Sequence, residues 1–286
     1  MRGGGQEEEE APADDHRPRW FVSSLERGLR ILSAFGADAP EMTVSEVAHR
    51  TGMSRAAARR FLMTLEELGY VAADDRQRYV LRPKALTLGF AFLSSLSVDA
   101  LIMPVLHALT TRTTETTNVA VLDDGEAVYI ARSVAYRPLH MTIHTGDRLP
   151  AYATSLGRVM LAGLSPDELD AYLACTELRA LTPHTCTDPR RLREVIAEAG
   201  RDGFALVADE IAVGIISIAV PVLDSGGRIA AAINISSQSG RWTGPEMVEC
   251  FLDPIREAAR ELSPALNAGI LARARAHRST KKGTER

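Results

Sequence analysis

Between residues 20 and 83 the apolar positions recur three times at helical spacing and then switch to the pattern of a strand pair. Leu25, Leu29, Ile31, Leu32 and Phe35 predict a first helix, capped by Ser23 and ended at Gly36. Val44, Val47 and Ala48 fall at i, i+3 and i+4 of a second, short helix, with Thr43 and Glu46 placed as a T-x-x-E capping box. Gly52 stops that helix. Ser54 caps a third, which runs to Leu68 and Gly69 with Ala58, Phe61, Leu62, Leu65 and Leu68 as its buried stripe. Tyr70-Val71-Ala72 and Tyr79-Val80-Leu81 then flank Asp74-Asp75-Arg76-Gln77, the pattern of a two-stranded ribbon with a polar turn, and Pro83 closes the unit.

From Lys84 to about Ser97 one helix carries Leu86, Leu88, Phe90, Leu93 and Leu96, more apolar than a solitary connector needs, so it is expected to pack against a second subunit. Beyond it helix and strand patterns alternate. Thr117–Leu122 and Ala127–Ser133 predict a hairpin across Asp123-Asp124-Gly125-Glu126, and Leu139–His144 a further strand. A helix over Ser155–Leu164 is followed by the capping box Ser165-Pro166-Asp167-Glu168 and a helix over Pro189–Asp202. Ile215–Leu223 and Arg228–Ile235 predict a second, buried hairpin, and Gly244–Leu262 a closing helix.

A short helix, a glycine turn and a longer helix have the spacing of a helix-turn-helix. On the third helix Ala56, Arg59 and Arg60 lie opposite the buried stripe, with Arg55 on the shoulder and no acidic residue between Ser54 and Thr64. Small alanines permit close approach to base edges, and arginines neutralise phosphates or read guanine O6 and N7 in bidentate fashion. The ribbon with Arg76 and Arg78 would be the wing. The candidate DNA-contacting set is therefore Thr43, Ser54, Arg55, Ala56, Arg59, Arg60, Thr64, Arg76 and Arg78.

Taken whole, the formal net charge of −4 opposes a DNA partner, but it is unevenly spread over the 286 residues. Residues 1–18 sum to −4 and 84–264 to −7, whereas 19–83 sum to +2 and 265–286 to +5. A basic head beside an acidic body is what a partner for one part alone predicts. Three cysteines, Cys175, Cys186 and Cys250, are too few and scattered for a disulfide framework or zinc knuckle. No apolar run reaches the ~18 residues of a membrane helix, and the acidic start MRGGGQEEEE lacks the apolar core of a secretory signal, so a cytoplasmic location is expected. No G-x-S-x-G, H-E-x-x-H, P-loop or G-x-G-x-x-G occurs, and neither His140 and His144 nor His184-Thr185-Cys186 has further metal ligands at suitable spacing; an enzyme and a resident cofactor are not expected.

The segments FVSSLERGLRILSAF, TVSEVAHRTGMSRAAARRFLMTLEELGYV and GDRLPAYATSLGRVMLA resemble the IclR family of bacterial transcription regulators. SRAAARRFLMTLEELGYV and LPAYATSLGRVMLA are similar to its β-ketoadipate-pathway branch, the PcaR, PcaU and PobR type. The resemblance implies an α+β chain: a winged helix-turn-helix over 19–83, a linker and dimerisation helix over 84–99, and a GAF-like effector-binding domain over 100–265. Residues 1–18 and 266–286 read as an acidic and a basic flexible tail. The implied partners are double-stranded operator DNA, a small carboxylate effector, further copies of the chain as homodimer or homotetramer, and RNA polymerase. The implied role is ligand-responsive control of aromatic-acid catabolism genes, with an unrelated carboxylate or sugar-acid operon as the alternative.

Thr154, Ser155, Leu156 and Gly157 open a helix whose free amides and dipole suit a carboxylate, with Ser155 as its cap. In the family that helix start lines the effector pocket together with two strands, which match here Gly214–Ser217 and Asn234–Ser236. Asn234 and Ser236 fall on one face of their strand and Ile233 and Ile235 on the other, so these two would orient a ligand in a largely apolar cavity, to which the family match adds Ser217. Arg132, Arg148 and Arg158 are candidates for the effector's charge, and Met141 and Tyr152 for apolar walls. One departure stands out: the branch carries an arginine in an E-L-x-x-G-L-R-S stretch where this chain has Ile216.

Overall fold

A computed structural model describes residues 18–36, 38–95, 98–135 and 143–267. These fall into two compact units dividing after Phe90. Residues 1–17 and 268–286 of the predicted tails and most of the predicted strand Leu139–His144, Met141 and His140 included, lie outside the described residues.

The first unit contains α1 (Ser23–Ala34), β1 (Glu41–Met42), α2 (Val44–Thr51), α3 (Arg55–Glu67), β2 (Val71–Ala73) and β3 (Tyr79–Leu81). Its core is Ile31, Phe35, Val47, Ala48, Ala58, Leu62, Leu65, Val71 and Tyr79, the stripes of the three helices meeting the ribbon. The capping box of α2 forms as expected, and Gly52 ends the helix in the left-handed region at φ 67°, where a side chain would be strained. Ser54 caps α3 by accepting from the Ala57 amide at 3.2 Å. The first cap differs from the expectation: α1 is preceded by Val22 in extended conformation, and Ser23 is already helical, so no side chain caps it. The ribbon gains a third strand, β1, which pairs antiparallel with β3. The helix α4 (Leu86–Ser95) follows a 3-10 turn over Pro83–Ala85.

The second unit contains α5 (Met103–Thr113), β4 (Thr116–Asp123), β5 (Glu126–Ser133), β6 (Arg148–Pro150), α6 (Ser155–Leu161), α7 (Pro166–Cys175), α8 (Pro189–Asp202), β7 (Ala205–Ala208), β8 (Ile215–Leu223), β9 (Ile229–Gln238) and α9 (Gly244–Asn267). The strands form one antiparallel sheet in the order β6-β5-β4-β9-β8-β7. On one face Leu106 and Leu109 of α5 and Met247, Phe251, Ile255 and Leu262 of α9 pack on Val119, Val121, Ile218, Val220, Ile233 and Ile235. On the other, Leu156, Val159 and Met160 of α6 and Ala199 of α8 pack on the small side chains Ala120, Ala219 and Ala232, with Tyr129. The sequence reading passed over α5, whose three buried positions, Leu106, Leu109 and Thr113, are followed by a threonine-rich stretch that reads as strand.

Two irregularities place the site. In β5 the pairing steps from Val119↔Ala131 to Ala120↔Tyr129, so Ile130 is a bulge. Ile130 and Ala131 then both enter the α5/α9 core, and Tyr129 and Arg132, three apart, both reach the α6 face. The second is Gly157, where an added Cβ would lie 2.1 Å from the Ala151 carbonyl oxygen, so only glycine lets α6 lie this close to the preceding turn.

Candidate functional site

In the first unit Arg55, Ala56, Arg59, Arg60 and Thr64 lie exposed on α3, opposite buried Ala58, Leu62 and Leu65. Among the described residues none of the three arginines meets a carboxylate within ion-pair distance, so their charge faces solvent. Other members of the predicted set are engaged. The Thr43 hydroxyl accepts from the Glu46 amide at 3.3 Å and donates to Glu46 Oε2 at 2.9 Å, spending itself on the cap. That cap also holds the Glu46 carboxyl below its ordinary range, chiefly through the Thr43 backbone amide and hydroxyl. Thr64 Oγ1 donates back to the Arg60 carbonyl at 3.0 Å. On the ribbon turn, Asp74 Oδ1 accepts from the amides of Arg76 and Arg78 at 2.9 and 2.7 Å, leaving the Arg76 side chain exposed at the tip. Arg78 turns inward instead: its guanidinium lies 2.9 Å from Glu41 and 3.4 Å from Glu46, and donates to the Glu41 carbonyl at 3.1 Å. It joins the wing to β1 and α2 because two carboxylates stand within its reach.

In the second unit β4, β5, β8 and β9 form one wall of a cavity of about 20 Å³. Polar lining comes from Asn118, Ser217, Asn234 and Ser236 on the strands, with Tyr129, Arg132 and Thr154 beside them and Ile143, Ile211 and Ile215 as apolar walls. The strand register makes this cluster. Asn118 on β4 pairs with Arg132 on β5 and Asn234 on β9, and Ser236 pairs with both Thr116 and Ser217. Asn118 Nδ2 donates to Asn234 Oδ1 at 2.8 Å, and Asn234 Nδ2 donates to Ser236 Oγ at 3.0 Å. Ser155 Oγ and Ser217 Oγ share a hydrogen bond of 2.8 Å, tying α6 to β8. Arg132 Nη1 donates to the Ile143 carbonyl, whereas Arg132 Nε and Asn118 Oδ1 are buried without a partner among the described residues. Burial depresses the Arg132 pKa and raises that of the Tyr129 hydroxyl, so the phenol stays neutral and the guanidinium is a partly desolvated cation.

Thr154, Ser217, Asn234, Ser236 and Arg132 of the predicted effector set thus converge. Others do not. The cap of α6 is Thr154, whose hydroxyl takes the Gly157 amide at 3.0 Å; Ser155 is the first helical residue and is fully buried. Leu156 belongs to the core under α6, and Gly157 serves packing. Arg148 lies on the edge strand β6, exposed and held by Glu126 at 2.6 Å and Asp123 at 3.0 Å of the β4–β5 turn. Arg158 is inside the domain but paired with Glu210 at 2.7 Å and with the Tyr152 carbonyl at 2.9 Å. Tyr152 is packed in the neighbouring core, its hydroxyl bonded to Arg179 backbone. Ile216, where the branch has arginine, faces the α5/α9 core away from the cavity. Ile143 and His144, the described end of the predicted strand, are not in one. Asn118 and Tyr129 were missed; an alternating polar residue in the apolar run of β4 is the only local signal of the first.

A helix-turn-helix with free arginines and a sheet domain with a polar cavity describe a DNA reader joined to a sensor. Residues 24–75 match the IclR helix-turn-helix domain, and residues 90–264 match the C-terminal domain of the bacterial transcriptional regulator IclR. The chain belongs to the IclR family. It is 40% identical over 243 residues, 85% of this chain and 83% of the relative, to the Pca regulon regulatory protein of Pseudomonas putida. It is 34% identical over 255 residues, 87% and 94% of the two chains, to the p-hydroxybenzoate hydroxylase transcriptional activator of Acinetobacter baylyi. The crystal structure of an IclR homologue from Microbacterium hydrocarbonoxydans, complexed with 4-hydroxybenzoate, superposes with a TM-score of 0.74 at 25% identity, covering 86% of this chain and 100% of that one. As an IclR-family transcriptional regulator the chain is not an enzyme, and among its described residues no group of three His, Cys, Asp or Glu is placed to hold a metal. Among the same residues no helix is long and apolar enough to cross a membrane.

Proposed function

We propose that this IclR-family regulator binds a small aromatic carboxylate in the β4/β5/β8/β9 cavity and thereby controls genes of aromatic-acid catabolism from the cytoplasm. The observation that carries this is Arg132. Of the three candidate arginines it alone lines the cavity, and among the described residues it has no carboxylate partner and its buried Nε–H no acceptor. A ligand carboxylate supplies both the charge and the acceptor. The identities of the relatives support an acid of the hydroxybenzoate or protocatechuate type. A cavity of about 20 Å³ is far below the ~150 Å³ that takes benzene, so binding has to widen it. Opening the Arg132–Ile143 contact is the first movement available. A ligand preferring the widened state shifts the population of the two, and only such differential affinity alters DNA binding.

The DNA reader in this proposal is the exposed face of α3, Arg55, Ala56, Arg59 and Arg60, with Arg76 of the wing on the backbone. The chain works as a homo-oligomer. Leu25 and Leu29 of α1 and Leu86, Leu88 and Phe90 of α4 are all exposed, a cost that a second copy removes by covering them. RNA polymerase would be met by that oligomer on the promoter. Footprinting of the promoter beside the gene, with and without 4-hydroxybenzoate and protocatechuate, tests the whole reading. A ligand-dependent change in protection is expected in the wild type and is lost in Arg132→Met, while the apo footprint persists. Acid binding undiminished in Arg132→Met by calorimetry would reject the assignment of Arg132.

A further inference from the structure

Asn118 lies in the middle of β4, 2% exposed, between in-register partners on both sides. Its Nδ2 donates to Asn234, and Asn234 donates in turn to Ser236. In this chain of bonds every donor points away from Asn118. Its Oδ1 is left as a buried acceptor lining the cavity, with no donor among the described residues. A buried acceptor left unmet is costly, and such groups in native proteins find partners. A carboxylate, a methyl ether or an unsubstituted ring has no proton to offer it, whereas a hydroxyl has.

We infer that Asn118 is the residue by which this cavity selects hydroxylated over unhydroxylated aromatic acids, its Oδ1 accepting a hydrogen bond from a ring hydroxyl of the ligand. The role rests on the cavity being the aromatic-acid site with Arg132 as the carboxylate's partner. The two residues are paired across β4 and β5, yet their side chains differ in reach. Arg132 extends to the Ile143 carbonyl, while the Asn118 amide stays beside Asn234 on the sheet. They can therefore address different ends of one small ligand.

The experiment is calorimetric titration of the full-length protein with benzoate, 3-hydroxybenzoate, 4-hydroxybenzoate, 3,4-dihydroxybenzoate and the corresponding methoxybenzoates. At least one hydroxylated acid is expected to bind about 10- to 100-fold more tightly than both benzoate and its own methyl ether. In Asn118→Leu, checked for folding by its thermal melt, that preference is expected to shrink to less than about threefold. Equal binding of benzoate and every hydroxylated acid by the wild type overturns the inference, because Asn118 then meets only a water, and leaves the cavity assignment standing. A folded Asn118→Leu that keeps the preference overturns it as well. Failure of every acid to bind removes the cavity assignment and this role together. Should Asn118→Leu not fold, the wild-type series decides alone.

Discussion

The two units carry their functional groups in opposite ways. On α3 the arginines stand outside an apolar core, exposed and without carboxylate partners among the described residues, while caps and stripe hold the helix. In the sensing domain the polar groups are inside and largely spend their hydrogen bonds on one another: Asn118 with Asn234, Asn234 with Ser236, Ser155 with Ser217, Arg158 with Glu210. A charge can be removed from the first without stranding a partner. Removing one from the second leaves a buried group alone, where desolvation is no longer offset. Binding and stability should therefore separate in the head and be entangled in the sensor.

Glu210→Ala probes that entanglement hardest. Its carboxylate meets Arg158 at 2.7 Å and accepts from the Cys186 amide at 2.8 Å, with both charged side chains almost wholly buried. The contact joins α6 to the loop before β8, beside Ile211 and Ile215 of the cavity wall. Breaking such a pair from one side costs about 3–5 kcal/mol, and Arg158→Met with Glu210→Met should restore much of it. Differential scanning calorimetry reads the loss. A Glu210→Ala variant melting like the wild type would erase the contrast between the units.

Arg59→Ala is the opposite experiment. Operator affinity should fall by about 1–3 kcal/mol, roughly 5- to 150-fold, while the melt stays within about 0.5 kcal/mol of wild type. If Arg59 meets a phosphate, the slope of log affinity against log salt should also drop by about one. Fluorescence anisotropy on promoter DNA at several salt concentrations measures both. Unchanged affinity would dismiss α3 as the reading helix.

The same contrast explains what the sequence made legible. Features of the head are local: the capping box Thr43/Glu46, the cap Ser54, the stop at Gly52 and the stripe of α3 each lie within a few turns of chain. Where a cap was misplaced, the shift is one residue. Ser23 lost the cap to Val22, and in the sensor Ser155 lost it to Thr154, because in the chain Thr154-Ser155 either hydroxyl could serve and backbone conformation decides. The cavity depends on distant registers: of its lining only Asn234 and Ser236 had a strand-face argument, whereas Ser217 and Thr154 rested on the resemblance and Arg132 was one of three undistinguished arginines. Tyr129 and Arg132 share a face only because Ile130 bulges, which simple alternation cannot anticipate. Among the three candidate arginines nothing local distinguishes the pocket member from the paired ones. Their carboxylates, Asp123, Glu126 and Glu210, come from elsewhere in the fold.

Arg148→Ala gives the smallest expected effect and completes the separation of those arginines. Arg148 bridges Glu126 and Asp123 at the solvent edge of the β4–β5 hairpin, with its side chain 39% exposed. Ion pairs in that setting contribute no more than about 1 kcal/mol, because water and salt screen them and two long side chains must be ordered. Its loss should shift the melt slightly, less at high salt, and leave the affinity for any aromatic acid unchanged, since it does not line the cavity. Arg132→Met, on β5 where the side chain lines the cavity, should behave in reverse, with effector affinity lost. An Arg148→Ala variant that loses effector affinity as Arg132→Met does would move the carboxylate site from the interior of the sheet to its edge.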